Sequence, residues 1–221
     1  MVRRTQVEGF EGLMFTLSEW GRRNGKWVAI GAVVVVAAMG GTWLYRRSNA
    51  LKEGRAAAAL IAAEQSMVAG NAALAQSDLD KLVKRYPGTA AARQAAVQLA
   101  HLLYEKGQYQ EGVARLEQLL PSVDDRDFKA IVEDQIGAGY EDMGKYADAA
   151  RHYVRAAELA RFAADSANYL ASAARAHTSG GNVAEAKRIW LGLAADPTGP
   201  VAAEARVRLG ELEARPARAG A

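Results

Sequence analysis

Residues 91–121 read AARQAAVQLAHLLYEKGQYQEGVARLEQLLP. Ahead of Gly107, Ala96, Leu99, Ala100 and Leu103 recur at three- and four-residue steps. Val113, Leu116 and Leu119 do so after it. That spacing places one apolar face on each of two successive helices. Gly107 supplies the left-handed or tight backbone that reverses the chain between them, and Pro121 marks the end of the second helix. The stretch is a helical hairpin.

The hairpin repeats. Gly70, Gly107, Gly144 and Gly181 stand 37 residues apart, each followed by a polar residue (Asn71, Gln108, Lys145, Asn182). Five positions on come Ala75, Gly112, Ala149 and Ala186. Nine positions on come Leu79, Leu116, Tyr153 and Trp190, and twelve on come Leu82, Leu119, Ala156 and Leu193. The small column lets the second helix sit close to the first, and the large column fills the gap between neighbouring hairpins. A hairpin of this length cannot bury its apolar face alone, so the hairpins must stack. The expected fold is all-α: about four helix pairs in a right-handed α-solenoid over residues 49–215, closing on a helix at Val201–Ala214. Residues 216–221 are left as a disordered tail.

The chain has 221 residues, 50% hydrophobic and 24% charged, with 7% aromatic residues and no cysteine. A packed core is within reach and global disorder is excluded. Disulfides, thiolate nucleophiles and Cys-ligated metals are excluded with the cysteines. The net charge is +3, and much of that excess precedes residue 27. The nearly neutral repeat region lacks the concentrated basic face that a nucleic-acid partner requires.

Trp27 to Tyr45 reads WVAIGAVVVVAAMGGTWLY, without a charge. As a helix it spans about 28 Å, close to the hydrocarbon thickness of a bilayer. Trp27 at one end and Trp43 and Tyr45 at the other are placed as interface anchors, flanked by Arg22, Arg23 and Lys26 before and Arg46 and Arg47 after. A single transmembrane helix over 27–45 is expected, with the bilayer as one partner. The competing reading is a cleaved signal peptide, for which Ser48-Asn49-Ala50 offers a small-x-small site. Ala37 and Gly41 lie four apart on one face and would admit another transmembrane helix. Within residues 1–26, Val7, Phe10, Leu13, Met14, Leu17 and Trp20 fit either a short interfacial helix or a frayed tail. The Lys/Arg count favours a cytoplasmic N-terminus only slightly.

No chemistry of catalysis stands out. His101, His152 and His177 show no metal spacing and are expected on helix surfaces or in a groove. The acidic cluster Asp124, Asp125 and Asp127, then Glu133 and Asp134, lacks the glycine and terminal glutamate of a calcium loop, and helix N-capping with dipole compensation explains it. No phosphate-binding, dinucleotide-binding or nucleophile-elbow motif occurs. The chain is read as a non-enzyme without cofactor, metal or small-molecule substrate.

The motifs G-Q-Y-x-x-G at Gly107–Gly112 and G-K-Y-x-x-A at Gly144–Ala149 resemble the turn and second-helix start of tetratricopeptide repeats. Leu99–Ala100–Leu103 and Ile136–Gly137–Tyr140 are similar to that family's first-helix pattern. The period departs from it, 37 residues against about 34, and longer inter-repeat loops are expected to absorb the difference. The segment E-W-x-x-x-N-G-K-W (Glu19–Trp27), the apolar run and the Ala-rich helix after it together resemble the membrane-anchored tetratricopeptide-repeat-like family. That family includes the ancillary subunit of the bacterial Sec translocon. The resemblance implies a bacterial inner-membrane protein with a cytoplasmic tail and a periplasmic repeat domain. It implies an accessory or assembly subunit of a larger integral membrane complex, translocon-like or energy-transducing. The alternative is a periplasmic holdase for extended polypeptides. Mapped onto the family pattern, the concave face would present Leu60, Glu64, Gln94, His101, Tyr104, Asp134, Glu141, Asn168 and Arg175 as partner-binding side chains.

Overall fold

A computed structural model describes residues 25–214. It contains nine α-helices and one 3-10 turn among the described residues, and no strand: α1 Gly25–Val68, α2 Ala72–Arg85, α3 Ala90–Glu105, α4 Tyr109–Leu119, the turn Leu120–Ser122, α5 Arg126–Asp142, α6 Tyr146–Leu159, α7 Ala163–Ser179, α8 Val183–Ala194 and α9 Ala202–Ala214. Residues 1–24 of the expected tail at 1–26, and the expected tail at 216–221, lie outside the described residues; residues 25 and 26 belong to α1.

All four periodic glycines adopt positive φ, between 71° and 79°. Each closes the same turn. The amide after the glycine donates to the carbonyl five residues back: Asn71 to Ser66, Gln108 to Leu103, Lys145 to Tyr140 and Asn182 to His177, at 2.8–2.9 Å. This is the left-handed C-terminal cap that L-residues enter only at a cost. The next helix starts at once. Asn71 and Asn182 accept the amides of Leu74 and Glu185 with their side chains, which satisfies one free donor of the new helix. Thr89 and Asp125 cap α3 and α5 in the same way.

The extra length per repeat is distributed unevenly. Between α4 and α5 a longer linker carries the 3-10 turn around Pro121. Between α6 and α7 only residues 160–162 intervene, and the added residues lengthen the 14-residue second helix instead. The expectation that loops would absorb the difference holds for the first of these and fails for the second. α6 keeps packing through its last turn, with Ala156 and Ala157 buried, so extending the helix gains contacts that a loop would not.

The column Leu79, Leu116, Tyr153, Trp190 is buried throughout. It meets a column of small residues on the first helices, Ala63, Ala100, Gly137 and Ala174, also buried. At Gly137 a Cβ would lie 2.9 Å from the Tyr153 ring. Tyr104 has a similar slot: a Cβ on Gly112 would lie 2.4 Å from its ring, and one on Gly139 would lie 2.5 Å from its hydroxyl and from Val113 Cγ2.

His152 departs from its expected place on a surface. It is buried, with Nδ1 2.6 Å from Oε2 of the equally buried Glu133, and its ring stacks on Tyr140 at 5.3 Å. Glu133 stands in a column otherwise filled by Ala59, Ala96 and Leu170, so a carboxylate inside the α5–α6 interface needs a partner there, and the ring supplies it.

The compact units divide at Lys52/Glu53. The apolar run Trp27–Tyr45 lies in the first, within helix α1, which continues without interruption to Val68. No residue of the most apolar window of α1 is buried, and the helix is long and apolar enough to cross a membrane. Arg47 sits over the Trp43 ring at 5.2 Å. Gly41 has open space where a Cβ would stand, and Ala37 is exposed.

Two stability changes follow. Gly139→Ala gains about 1 kcal/mol of helix propensity but forces a methyl against Tyr104 and Val113, with an overpacking cost of about 1–3 kcal/mol; thermal unfolding should show net destabilisation. His152→Ala leaves Glu133 buried and unpaired, a loss of about 3–5 kcal/mol. In urea unfolding its midpoint should fall well below that of an exposed control such as Arg151→Ala.

Candidate functional site: a polar groove on the first helices

The first helices α3, α5 and α7 and the latter half of α1 carry the candidate residues at positions related by the 37-residue period. One column reads Leu60, Val97, Asp134, Ala171. The next reads Glu64, His101, Ala138, Arg175, and a third reads Met67, Tyr104, Glu141, Thr178. Gln94 and Asn168 share a fourth column and are exposed.

Two expected groove residues serve the fold instead. Leu60 is buried in the core formed with Leu79, Leu82, Leu99 and Leu103. Its column faces inward in the first repeat, where Leu60 shares that core with Ala95 and Leu99. Tyr104 is half-buried in the slot made by Gly112 and Gly139, and its hydroxyl donates to the Gln135 carbonyl at 3.0 Å. Burial pushes the phenol well above its usual range. It is a packing residue between the second and third repeats rather than a free contact.

The others have separate partners. Glu64 accepts from Gln98 Nε2 at 2.8 Å. Glu141 accepts the Tyr153 hydroxyl at 2.8 Å. Arg175 donates through Nη1 to both carboxylate oxygens of Glu204 on α9, at 2.9 and 3.1 Å, and through Nη2 to Ser172. His101 is exposed, with its ring edge-on to Tyr104 at 6.4 Å.

Asp134 is the unusual member. It occupies a column whose equivalents Leu60 and Ala171 are buried. The hydrogen bond to its Oδ2 comes from the neutral amide of Gln135, at 3.1 Å. Burial pushes its carboxyl above the usual range and Glu141 adds to the rise, while the Gln135 amide, His101 and Arg175 pull the other way. Asp134 on α5 is thus influenced from the first helix on either side, by His101 of α3 and Arg175 of α7. The phenol of Tyr169 is raised too, first by its own burial and then by Asp134. Groups whose titration is shifted by burial together with specific charged neighbours concentrate at functional sites.

Among the described residues no group of three or more His, Asp or Glu is arranged to hold a metal ion.

The tetratricopeptide repeat-like domain family matches residues 18–188. The chain belongs to this family, and the match begins ahead of the apolar run. No curated protein matches the sequence. Among solved structures, the kinesin light chain nearly identical TPR-like repeats of Podosopora anserina are similar at 16% identity, covering 72% of this chain and 86% of that one with a TM-score of 0.60. MamA 41-end from Desulfovibrio magneticus RS-1 is similar at 16% identity over 72% and 94% of the two chains, with a TM-score of 0.53. The apo form of RapI is similar at 12% identity with a TM-score of 0.60; 74% of this chain is covered, but only 49% of RapI. At these identities the likeness shows the fold. The chain is therefore a TPR-like repeat scaffold suited to protein–protein interaction.

Asp134 gives a stability test with a defined sign. Its folded carboxyl titrates higher than its unfolded one, so folding favours the protonated form. Its contribution is most favourable below the unfolded value near ~3.9 and is lost as pH rises through the folded value. At pH 7 Asp134→Asn should raise Tm, at about 2–4 °C per kcal/mol released. The difference between variant and wild type should shrink to zero as pH falls below the unfolded value. Melting curves across that range check it.

Proposed function

We propose that the chain is a non-catalytic, membrane-anchored adaptor whose TPR-like groove holds a polypeptide segment of a larger membrane protein complex. Asp134 carries the reading. A desolvated carboxylate in an otherwise apolar column has no structural use that an apolar residue would not serve better, and a bound polypeptide gives it one. The anchor is supported by the charge-free run Trp27–Tyr45, its aromatic ends and its exposed side chains. The resemblance to the membrane-anchored tetratricopeptide-repeat-like family, with a slight basic excess before the run, supports a cytoplasmic N-terminus and a periplasmic repeat domain in a bacterial inner membrane. Ala37 and Gly41 are proposed as a close-packing face toward a transmembrane helix of the partner. Glu64, Gln94, His101, Asp134, Glu141, Asn168 and Arg175 are proposed as the groove surface.

The test is purification of the full chain from membranes in mild detergent, with mass spectrometry of what accompanies it, for wild type and Asp134→Asn. A defined membrane complex should travel with the wild type and be lost from the variant, although the variant is the more stable protein. Retention by Asp134→Asn would remove the groove from the account. A heterogeneous load of unfolded chains would favour a holdase. Protease added to spheroplasts should digest the repeat domain, and protection until lysis would reverse the topology.

A further inference from the structure

The 37-residue period relates Ala96 of α3 to Glu133 of α5, and Arg115 of α4 to His152 of α6. In the third repeat a buried acid and base fill these two positions, with His152 Nδ1 2.6 Å from Glu133 Oε2. In the second repeat the same positions border empty space. Ala96 ends at its methyl group, and Arg115 donates through Nη1 to Asp80 at 2.8 Å and through Nη2 to Glu111 at 3.1 Å. Both residues line a cavity of about 310 Å³.

The lining has two kinds of residue. Val83, Ala92, Leu99 and Leu119 join Ala96 in its apolar part. Lys84, Arg93 and Arg115 line it too, and among the described residues no acidic side chain does. Lys84 and Arg115 share the carboxylate of Asp80. Arg93 donates to the neutral carbonyl of Gly88 at 3.1 Å and forms no ion pair among the described residues. Lys84 is exposed, and Arg93 and Arg115 are half-buried, so a group entering from solvent can reach them. One period on, Lys84 and Arg93 correspond to Pro121 and Ala130. The surplus of cations therefore belongs to the repeat whose own acid is missing. A basic side chain in the cavity would be repelled, and an apolar one would leave the cations desolvated and unanswered. A carboxylate answers them with charge-assisted hydrogen bonds, about twice as strong as neutral ones.

We propose that this cavity receives a glutamate side chain of a partner polypeptide. Its methylenes lie against Ala92, Ala96 and Leu99, and its carboxylate accepts from Arg93 and Lys84. It takes from outside the place that Glu133 fills from within one repeat later. The cavity shares no residue with the first-helix groove, so the proposal stands or falls apart from the groove reading.

The experiment titrates the full chain in detergent micelles with acetyl-Ala-Glu-Ala-amide and acetyl-Ala-Gln-Ala-amide at pH 7, following broadening of the peptide resonances by NMR. The glutamate peptide should bind at least about tenfold tighter than the glutamine peptide, a difference of about 1.4 kcal/mol. Arg93→Gln should erase that preference. Ala96→Glu supplies a carboxylate to the cavity from the chain itself and should abolish binding of the glutamate peptide. Absence of binding, equal affinity for the two peptides, or an unchanged preference in Arg93→Gln overturns the proposal. So does undiminished binding by Ala96→Glu, or displacement of the peptide by inorganic phosphate at the peptide's own concentration, which would mark a general anion site. The ratio in wild type and Arg93→Gln decides the matter even if Ala96→Glu folds poorly.

Discussion

Every part of the repeat domain depends on one contact: a large side chain from each second helix seated against small residues on the first helices. Leu79, Leu116, Tyr153 and Trp190 supply the large partner; Ala63, Ala100, Gly137 and Ala174 supply the small one. A single hairpin has too little apolar surface to hold its own helices, so each pair is stable only because the next covers it. The buried residues accordingly fall into clusters that run from pair to pair. The positive-φ glycines serve the same contact, since a fixed turn geometry keeps the two columns in register along the chain.

That contact was legible in the sequence because it recurs. The glycine spacing, the small column and the large column are each defined by four occurrences, and periodic apolar faces fix which side of each helix is buried. What recurs less was harder to read. Family pattern alone puts Leu60 and Tyr104 in the groove; only the core shared by Leu60, Leu79 and Leu82, and the slot between Gly112 and Gly139, show why both turn inward. The Glu133–His152 pair was missed, although a trace existed: Glu133 interrupts a column of Ala59, Ala96 and Leu170. A polar residue in an apolar column signals either a buried pair or a site. Composition cannot say which, because the answer depends on what lies across the interface.

The two acids that interrupt apolar columns have opposite outcomes. Glu133 is answered at 2.6 Å by a buried imidazole and belongs to the structure. Asp134, its neighbour in sequence, lies about 100° further round α5 and accepts from a neutral amide, with His101 and Arg175 acting on it through the field. Partial burial without a charged hydrogen-bond partner is what makes it a binding feature in this account.

Site-specific photocrosslinking in intact membranes tests that assignment most directly. A photoreactive amino acid is placed at Gln94 or Asn168, exposed on first helices α3 and α7, and separately at Arg151, exposed on second helix α6. The account predicts crosslinks to one defined polypeptide from Gln94 and Asn168 and none from Arg151. Crosslinks from Arg151 with none from either first-helix position would contradict it.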